Sequence, residues 1–152
     1  MLIRKIDIED VPYVQKLINY FAQQHVMLPR SLNDIYENLR DFFVVTSEDD
    51  SNILGCVALH ITWEDLAEIK ALAVAVDQQN KGCGRALVNA CLKEAKKLKI
   101  RKVFALSYKP LFFEKYGFKI IDKETMPRKI WGECVKCIKF DNCDEICLLK
   151  EF

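Results

Sequence analysis

The stretch Val74–Arg85, VAVDQQNKGCGR, constrains this chain more than any other. It is apolar up to Val76, turns polar, and ends in Gln79-Asn80-Lys81-Gly82-Cys83-Gly84-Arg85. Behind it Ala86, Leu87, Ala90, Cys91, Ala95 and Leu98 recur at helical spacing. The order reads strand, glycine-bearing loop, helix N-terminus. A helix start carries unbonded backbone N–H groups and the positive end of the helix dipole, both of which suit phosphate oxygens. Gly82 and Gly84 let the backbone approach a bulky anion, and Lys81 and Arg85 add charge. A Gly-x-Gly alone is equally a tight strand-to-helix turn. The Walker pattern G-x-x-x-x-G-K-[ST] is absent, and a Rossmann loop needs a third glycine where Leu87 stands.

The rest of the chain fits a mixed α/β sheet around this unit. Leu2–Ile6 reads as a first strand, and Val11, Val14, Leu17, Ile18 and Phe21 mark a helix with Pro12 in its first turn. Ser31, with Asp34 three residues on, starts a second helix whose apolar face runs through Ile35, Leu39 and Phe42. Phe43–Thr46 and Ile53–Ile61 form a hairpin about a polar turn, and Ala67–Val76 is a long strand. After the loop and its helix come a buried strand at Lys102–Ser107, a short helix at Leu111–Tyr116 stopped by Gly117, and a last clear strand at Phe118–Asp122. The expected organisation is one domain over residues 1–152 with a Cys-rich C-terminal extension over 127–152.

A net charge of +1 argues against broad nucleic-acid binding, which needs a basic excess. Met1–Asp10 alternates apolar and charged residues, unlike a signal peptide, and no run approaches the roughly 20 apolar residues of a membrane span. The expectation is a cytosolic protein with no nucleic-acid or membrane partner.

The motif Leu72-Ala73-Val74 followed by Gln79-Asn80-Lys81-Gly82-Cys83-Gly84-Arg85 resembles the acetyl-CoA loop of the GNAT N-acetyltransferases. The resemblance implies that the amides of this loop hold the CoA pyrophosphate and that the strand before it pairs with the pantetheine arm. Asn80 replaces a more usual Gly; Asn tolerates a left-handed backbone better than most residues. Phe112-Phe113-Glu114-Lys115-Tyr116-Gly117-Phe118 resembles the family's later "YEKxGF" signature and places Phe112 and Phe113 beside the cofactor. Many members protonate the departing thiolate with the Tyr that opens that signature; Phe113 stands there and has no proton to give.

A closer resemblance is to the acetyltransferase domain of bacterial N-acetylglutamate synthases. It is carried by His25–Arg30 before Ser31-Leu32, Gly55-Cys56-Val57-Ala58-Leu59, Ala67-Glu68-Ile69, Phe104-Ala105-Leu106-Ser107 and Met126-Pro127. It implies Glu68 and Ser107 as the acid/base pair and Arg30 as a carboxylate ligand. Strand alternation puts Glu68, Lys70 and Leu72 on one face. A dicarboxylate acceptor would draw on further cations, for which Lys70, His60 and, in the tail, Lys136 or Lys139 are candidates; the ordinary reading of each is a solvated surface charge. Glu68 is otherwise a surface strand residue, Ser107 a turn hydroxyl, and Tyr108 and Tyr116 are rival proton donors. The resembling synthases are often fused to an arginine-sensing kinase-like domain. None is legible in these residues, so arginine feedback is not implied. Family members often dimerise, and a homodimer is an open expectation.

Seven cysteines are many for a cytosolic chain. Cys134-Val-Lys-Cys137 with Cys143 and Cys147 has partial zinc spacing, against the plainer reading of small thiols closing the domain. The function expected is acetyl transfer from acetyl-CoA to the α-amine of L-glutamate, the first step of arginine biosynthesis. The alternatives are a GNAT enzyme for another small or protein amine, and a non-catalytic acyl-CoA-binding sensor.

Overall fold

The computed structural model describes residues 1–126 and 145–152. Strand β1 (Leu2–Lys5) leads through a 3-10 turn at Ile8–Asp10 into helix α1 (Val11–Ala22). Pro12 sits in the first turn of α1, where its missing N–H would have had no helical partner. Ser31 caps helix α2 (Leu32–Glu37), its hydroxyl accepting the Asp34 N–H at 3.0 Å.

α2 is shorter than its apolar spacing predicts. Asn38 closes it, donating its side-chain amide to the Asp34 carbonyl at 2.8 Å. Leu39–Asp41 is a 3-10 turn, and Phe42 opens strand β2 (Phe42–Thr46) rather than extending the helix. The run Phe42-Phe43-Val44-Val45-Thr46 is β-branched and aromatic throughout, which suits a pleated surface.

Strand β3 (Ile53–Trp63) pairs antiparallel with β2, Val44 opposite Cys56 and Phe42 opposite Ala58. Strand β4 (Leu66–Val74), helix α3 (Cys83–Lys97) and strand β5 (Lys102–Ser107) make a crossover, and β4 runs parallel to β5 with Glu68 opposite Phe104. Helix α4 (Pro110–Glu114) and strands β6 (Lys119–Ile121) and β7 (Ile146–Glu151) follow among the described residues. Among the described residues the strand order is β1-β2-β3-β4-β5-β7-β6, a mixed sheet of seven strands with helices beside it.

β7 corrects the expectation that β6 is the last strand. It pairs antiparallel with both β5 and β6, placing Cys147 opposite Leu106 and Ile121. Its apolar core Ile146-Cys147-Leu148-Leu149 is the signal the sequence carried for it.

The backbone divides into two compact units. The first comprises Met1–His60 and Ile69–Glu94. Its core joins Val14 and Ile18 of α1, Ile35 of α2, Val44 of β2 and Cys56 of β3. Truncating a side chain as deeply buried as Ile18 to Ala would cost about 2–5 kcal/mol. A Cβ on Gly55 would lie 2.9 Å from the Ala73 carbonyl oxygen and 3.2 Å from Leu87, so Gly is what lets β4 and α3 pack this closely on β3. The second unit comprises Ile61–Glu68 and Ala95–Phe152, cored by Leu66, Phe104, Met126 and Cys147. No helix among the described residues is long and apolar enough to cross a membrane.

Candidate active site

The loop between β4 and α3 is folded by its own side chains. The Ala75 N–H donates to the Leu54 carbonyl at 2.9 Å, tying the end of β4 to β3. Gln79 then turns back and donates its amide to the Val74 carbonyl at 3.1 Å. Asn80 and Gly82 both adopt left-handed backbone, φ 63° and 94°, which bends the chain sharply into the helix. The first helical bond runs from the Ala86 N–H to the Gly82 carbonyl at 3.0 Å, so the amides of Cys83, Gly84 and Arg85 stand ahead of the helical ladder. Lys81, Gly82 and Arg85 are exposed, Cys83 is only 2% exposed, and the first turn of α3 carries no acidic residue. Amides, a positive dipole end and two cations at one exposed turn fit a pyrophosphate.

Burial alternates along β4 from Ala67 to Val74. Ala67, Ile69, Ala71 and Ala73 are buried, while Glu68, Lys70, Leu72 and Val74 form the half-exposed face. Ala71 breaks the extended backbone with φ 55°, a left-handed residue inside a strand that costs about 1–2 kcal/mol. The Cys56 thiol donates to the Ala71 carbonyl at 3.4 Å and so helps hold it. Burial pushes the Cys56 thiol up to about 12.

Glu68 and Ser107 belong to the same unit, on the parallel strands β4 and β5. Glu68 lies opposite Phe104, three residues before Ser107. Its charge is felt at Cys147, whose thiol is pushed up to about 11, first by burial and then by this carboxylate. Ser107 ends β5, and its hydroxyl oxygen accepts the Lys109 N–H at 2.9 Å. A hydroxyl held as acceptor in this way keeps its own proton to donate.

Arg30 sits just before α2 and is fixed at both ends. Its N–H donates to the Asn19 side chain at 3.0 Å, and its carbonyl accepts from Gln15 at 3.2 Å and from Asn19 at 3.3 Å. Its guanidinium donates to Asp34 at 2.9 Å, with the Arg30 side chain only 9% exposed. Its positive charge favours the thiolate of Cys56, against the larger effect of burial. Arg30 is thus a held cation rather than a floating surface charge.

His60 is not the solvated ring its place at a strand end suggested. Its Nδ1 lies 2.7 Å from the Asp41 carboxylate. Asp41 is a residue the sequence did not point to, because nothing in the local pattern joins positions 41 and 60. Lys70 is on the half-exposed face of β4. Arg30, His60, Lys70 and the loop belong to the first unit, and Glu68, Ser107, Phe112 and Phe113 to the second.

Phe113 is 5% exposed and meets Phe112 and Phe118 edge-on, with centroids 5.2 and 5.4 Å away. Of the two aromatic residues, Phe112 is the half-exposed one. Lys150 of β7 donates to the Tyr116 carbonyl at 2.7 Å and pins the turn after α4. Cys147, a candidate metal ligand by spacing, is 1% exposed in an apolar cluster, which makes it a core thiol. Cys134, Cys137, Cys143, Lys136 and Lys139 lie outside the described residues.

Residues 9–118 match the acetyltransferase (GNAT) family. An uncharacterised N-acetyltransferase of Chlorobaculum tepidum is 36% identical over 148 residues, covering 97% of this chain and 94% of that one. An amino-acid acetyltransferase of Mycobacterium tuberculosis is 30% identical over 141 residues, covering 92% and 79%. Among solved structures, a Mycobacterium tuberculosis protein in complex with CoA superposes with a TM-score of 0.86 at 26% identity, over 100% of this chain and 99% of that one. The N-acetylglutamate synthase of Neisseria gonorrhoeae shares the fold with a TM-score of 0.88 at 24% identity; the match covers 99% of this chain and 34% of that longer one.

Proposed function

The chain belongs to the acetyltransferase (GNAT) family, and from that premise we propose that it acetylates the α-amine of an amino acid, with L-glutamate the acceptor and acetyl-CoA the donor. The observation that carries the acceptor reading is Arg30, a nearly buried guanidinium whose backbone is clamped by Asn19 and Gln15. A planar fork held in place is the group suited to a carboxylate. The name of the Mycobacterium tuberculosis relative, an amino-acid acetyltransferase, points the same way, while that of the Chlorobaculum tepidum relative says only N-acetyltransferase.

In this reading the amides of Cys83, Gly84 and Arg85, with Lys81, take the pyrophosphate of acetyl-CoA, and Leu72–Val74 lie along its arm. Arg30 takes a carboxylate of the acceptor, with Lys70 as a further cation. The neutral amine attacks the thioester carbon directly, with no covalent enzyme intermediate. Glu68 takes the proton released as the C–N bond forms. Phe113 has no proton to supply, so Ser107 donates to the departing thiolate, its hydroxyl oriented by the Lys109 N–H. The product, N-acetylglutamate, enters arginine biosynthesis in the cytoplasm.

An acetyl-CoA assay across amino acids, polyamines and a peptide amine tests this. Turnover strongest with glutamate supports it. Good turnover with a polyamine or peptide and none with glutamate refutes the acceptor and leaves the family intact. CoA binding without turnover on any amine would favour a sensor.

A further inference from the structure

Between α1 and α2 the chain runs through turns and irregular backbone, residues 23–31, and Arg30 lies in this stretch. Such a backbone has no helix or strand ladder to fix it, and a side chain is no better placed than its own Cα. At Arg30 the missing ladder is supplied from α1. The Arg30 N–H donates to Asn19 Oδ1 at 3.0 Å, and the Arg30 carbonyl accepts from Asn19 Nδ2 at 3.3 Å and from Gln15 Nε2 at 3.2 Å. The Asn19 amide meets Arg30 as a neighbouring strand would, donor to acceptor and acceptor to donor. On either side the chain is already constrained. Pro29 has its φ fixed by its ring, and Ser31 is tied to the Asp34 N–H at 3.0 Å.

We propose that Asn19 and Gln15 are positioning residues for the acceptor. They hold the Arg30 backbone and through it place the guanidinium for the acceptor's carboxylate, without touching the acceptor themselves. The inference rests on the reading above, in which Arg30 takes that carboxylate.

The choice of residues on α1 supports this. Gln15 and Asn19 stand four positions apart, so their side chains leave one face of the helix, and both are half-buried. Asn is a poor residue for a helix interior, because its amide competes for backbone groups. At position 19 that amide is turned on the backbone of residue 30. The other end of Arg30 is held from α2, where the Asp34 carboxylate meets the guanidinium at 2.9 Å. The two holds differ in charge. Asp34 is an anion on the guanidinium, whereas Asn19 and Gln15 are neutral and bind backbone alone, so they place the fork without neutralising it. A fork placed in advance leaves less freedom to be lost when a carboxylate binds. Satisfying two half-buried backbone groups would use the same hydrogen bonds. The two roles separate on whether Asn19 still matters once the Arg30 side chain is gone.

The test is a double-mutant cycle on kcat/KM for L-glutamate at saturating acetyl-CoA, with wild type, Asn19→Leu, Arg30→Ala and the double variant. Leu is close to Asn in size and a better helix former, which favours an intact α1. Asn19→Leu is expected to raise the glutamate KM about tenfold, with kcat and the acetyl-CoA KM as in wild type. In the Arg30→Ala background the same substitution is expected to change kcat/KM by less than about twofold. Gln15→Met removes one of the three hydrogen bonds. It follows the same pattern with a smaller rise and reads the proposal even if the Asn19 variant folds poorly. An equal loss in both backgrounds would make Asn19 a structural residue and overturn the proposal. So would a loss confined to kcat or to the acetyl-CoA KM, or no loss. Wild-type turnover absent with glutamate, or unchanged by Arg30→Ala, would instead remove the reading beneath it.

Discussion

The Arg30 guanidinium and the Asp34 carboxylate meet at 2.9 Å across one turn at the head of α2, with Asn19 and Gln15 of α1 gripping the Arg30 backbone. The geometry fixes where the fork points before any substrate arrives. Arg30→Lys keeps the charge and loses the planar fork. The acceptor KM should rise about ten- to a hundredfold, the value of one charge-assisted hydrogen bond, with kcat little changed. Steady-state kinetics with glutamate varied at saturating acetyl-CoA checks this, and an unchanged KM would remove Arg30 from the acceptor site.

Glu68 lies on the half-exposed face of β4, opposite Phe104. Glu68→Gln keeps its size and removes its basicity, so kcat should fall about 10²–10⁴-fold. CoA binding by calorimetry should stay as in wild type, because the loop that binds it is untouched. A variant that turns over normally would assign the proton to another group.

Gly117 turns the chain after α4 with φ 88°, and a Cβ there would come within 2.5 Å of Lys150 Nζ. Gly117→Ala therefore strains the backbone and pushes Lys150 off the Tyr116 carbonyl. A loss of about 1–3 kcal/mol in urea unfolding is expected. Lys150→Met, which leaves the turn glycine in place, should cost less.

Arg4 binds both oxygens of Asp10, at 2.7 and 3.1 Å, and holds its carboxyl below the usual carboxylate range, helped by the Asp7 N–H. The folded-state titration lies below the unfolded value of about 3.9. The stability this provides is complete above about pH 5 and is lost as pH falls through the lowered value. Denaturation curves of wild type and Asp10→Asn should differ most at neutral pH and converge in acid. A difference that grew on acidification would contradict the assignment.

What the sequence made legible was local. The Ser31 cap, the Pro12 helix start, the β2–β3 hairpin and the strand–loop–helix at Val74–Arg85 each depend on residues a few positions apart. The length of α2 was not legible, because Leu39 and Phe42 fit a helical face as well as a turn and a strand. Asp41 with His60 and Lys150 with Tyr116 are joined by the sheet across 19 and 34 positions, and no periodicity encodes such pairs. β7 is hard to read in the sequence because its short apolar run follows a cysteine-rich stretch whose spacing resembles a metal site. Family resemblance points to Arg30 and Glu68, but the anchoring of Arg30 by Asn19, Gln15 and Asp34 and the position of Glu68 opposite Phe104 come from long-range packing that no local pattern carries.

The most direct test of the central claim is to incubate the protein with acetyl-CoA and L-glutamate and identify the product by NMR. The account predicts N-acetylglutamate formed in equal amount to free CoA, with the acetyl group on the α-nitrogen. Release of CoA without N-acetylglutamate, or acetylation seen only with a polyamine or a peptide amine, would contradict it.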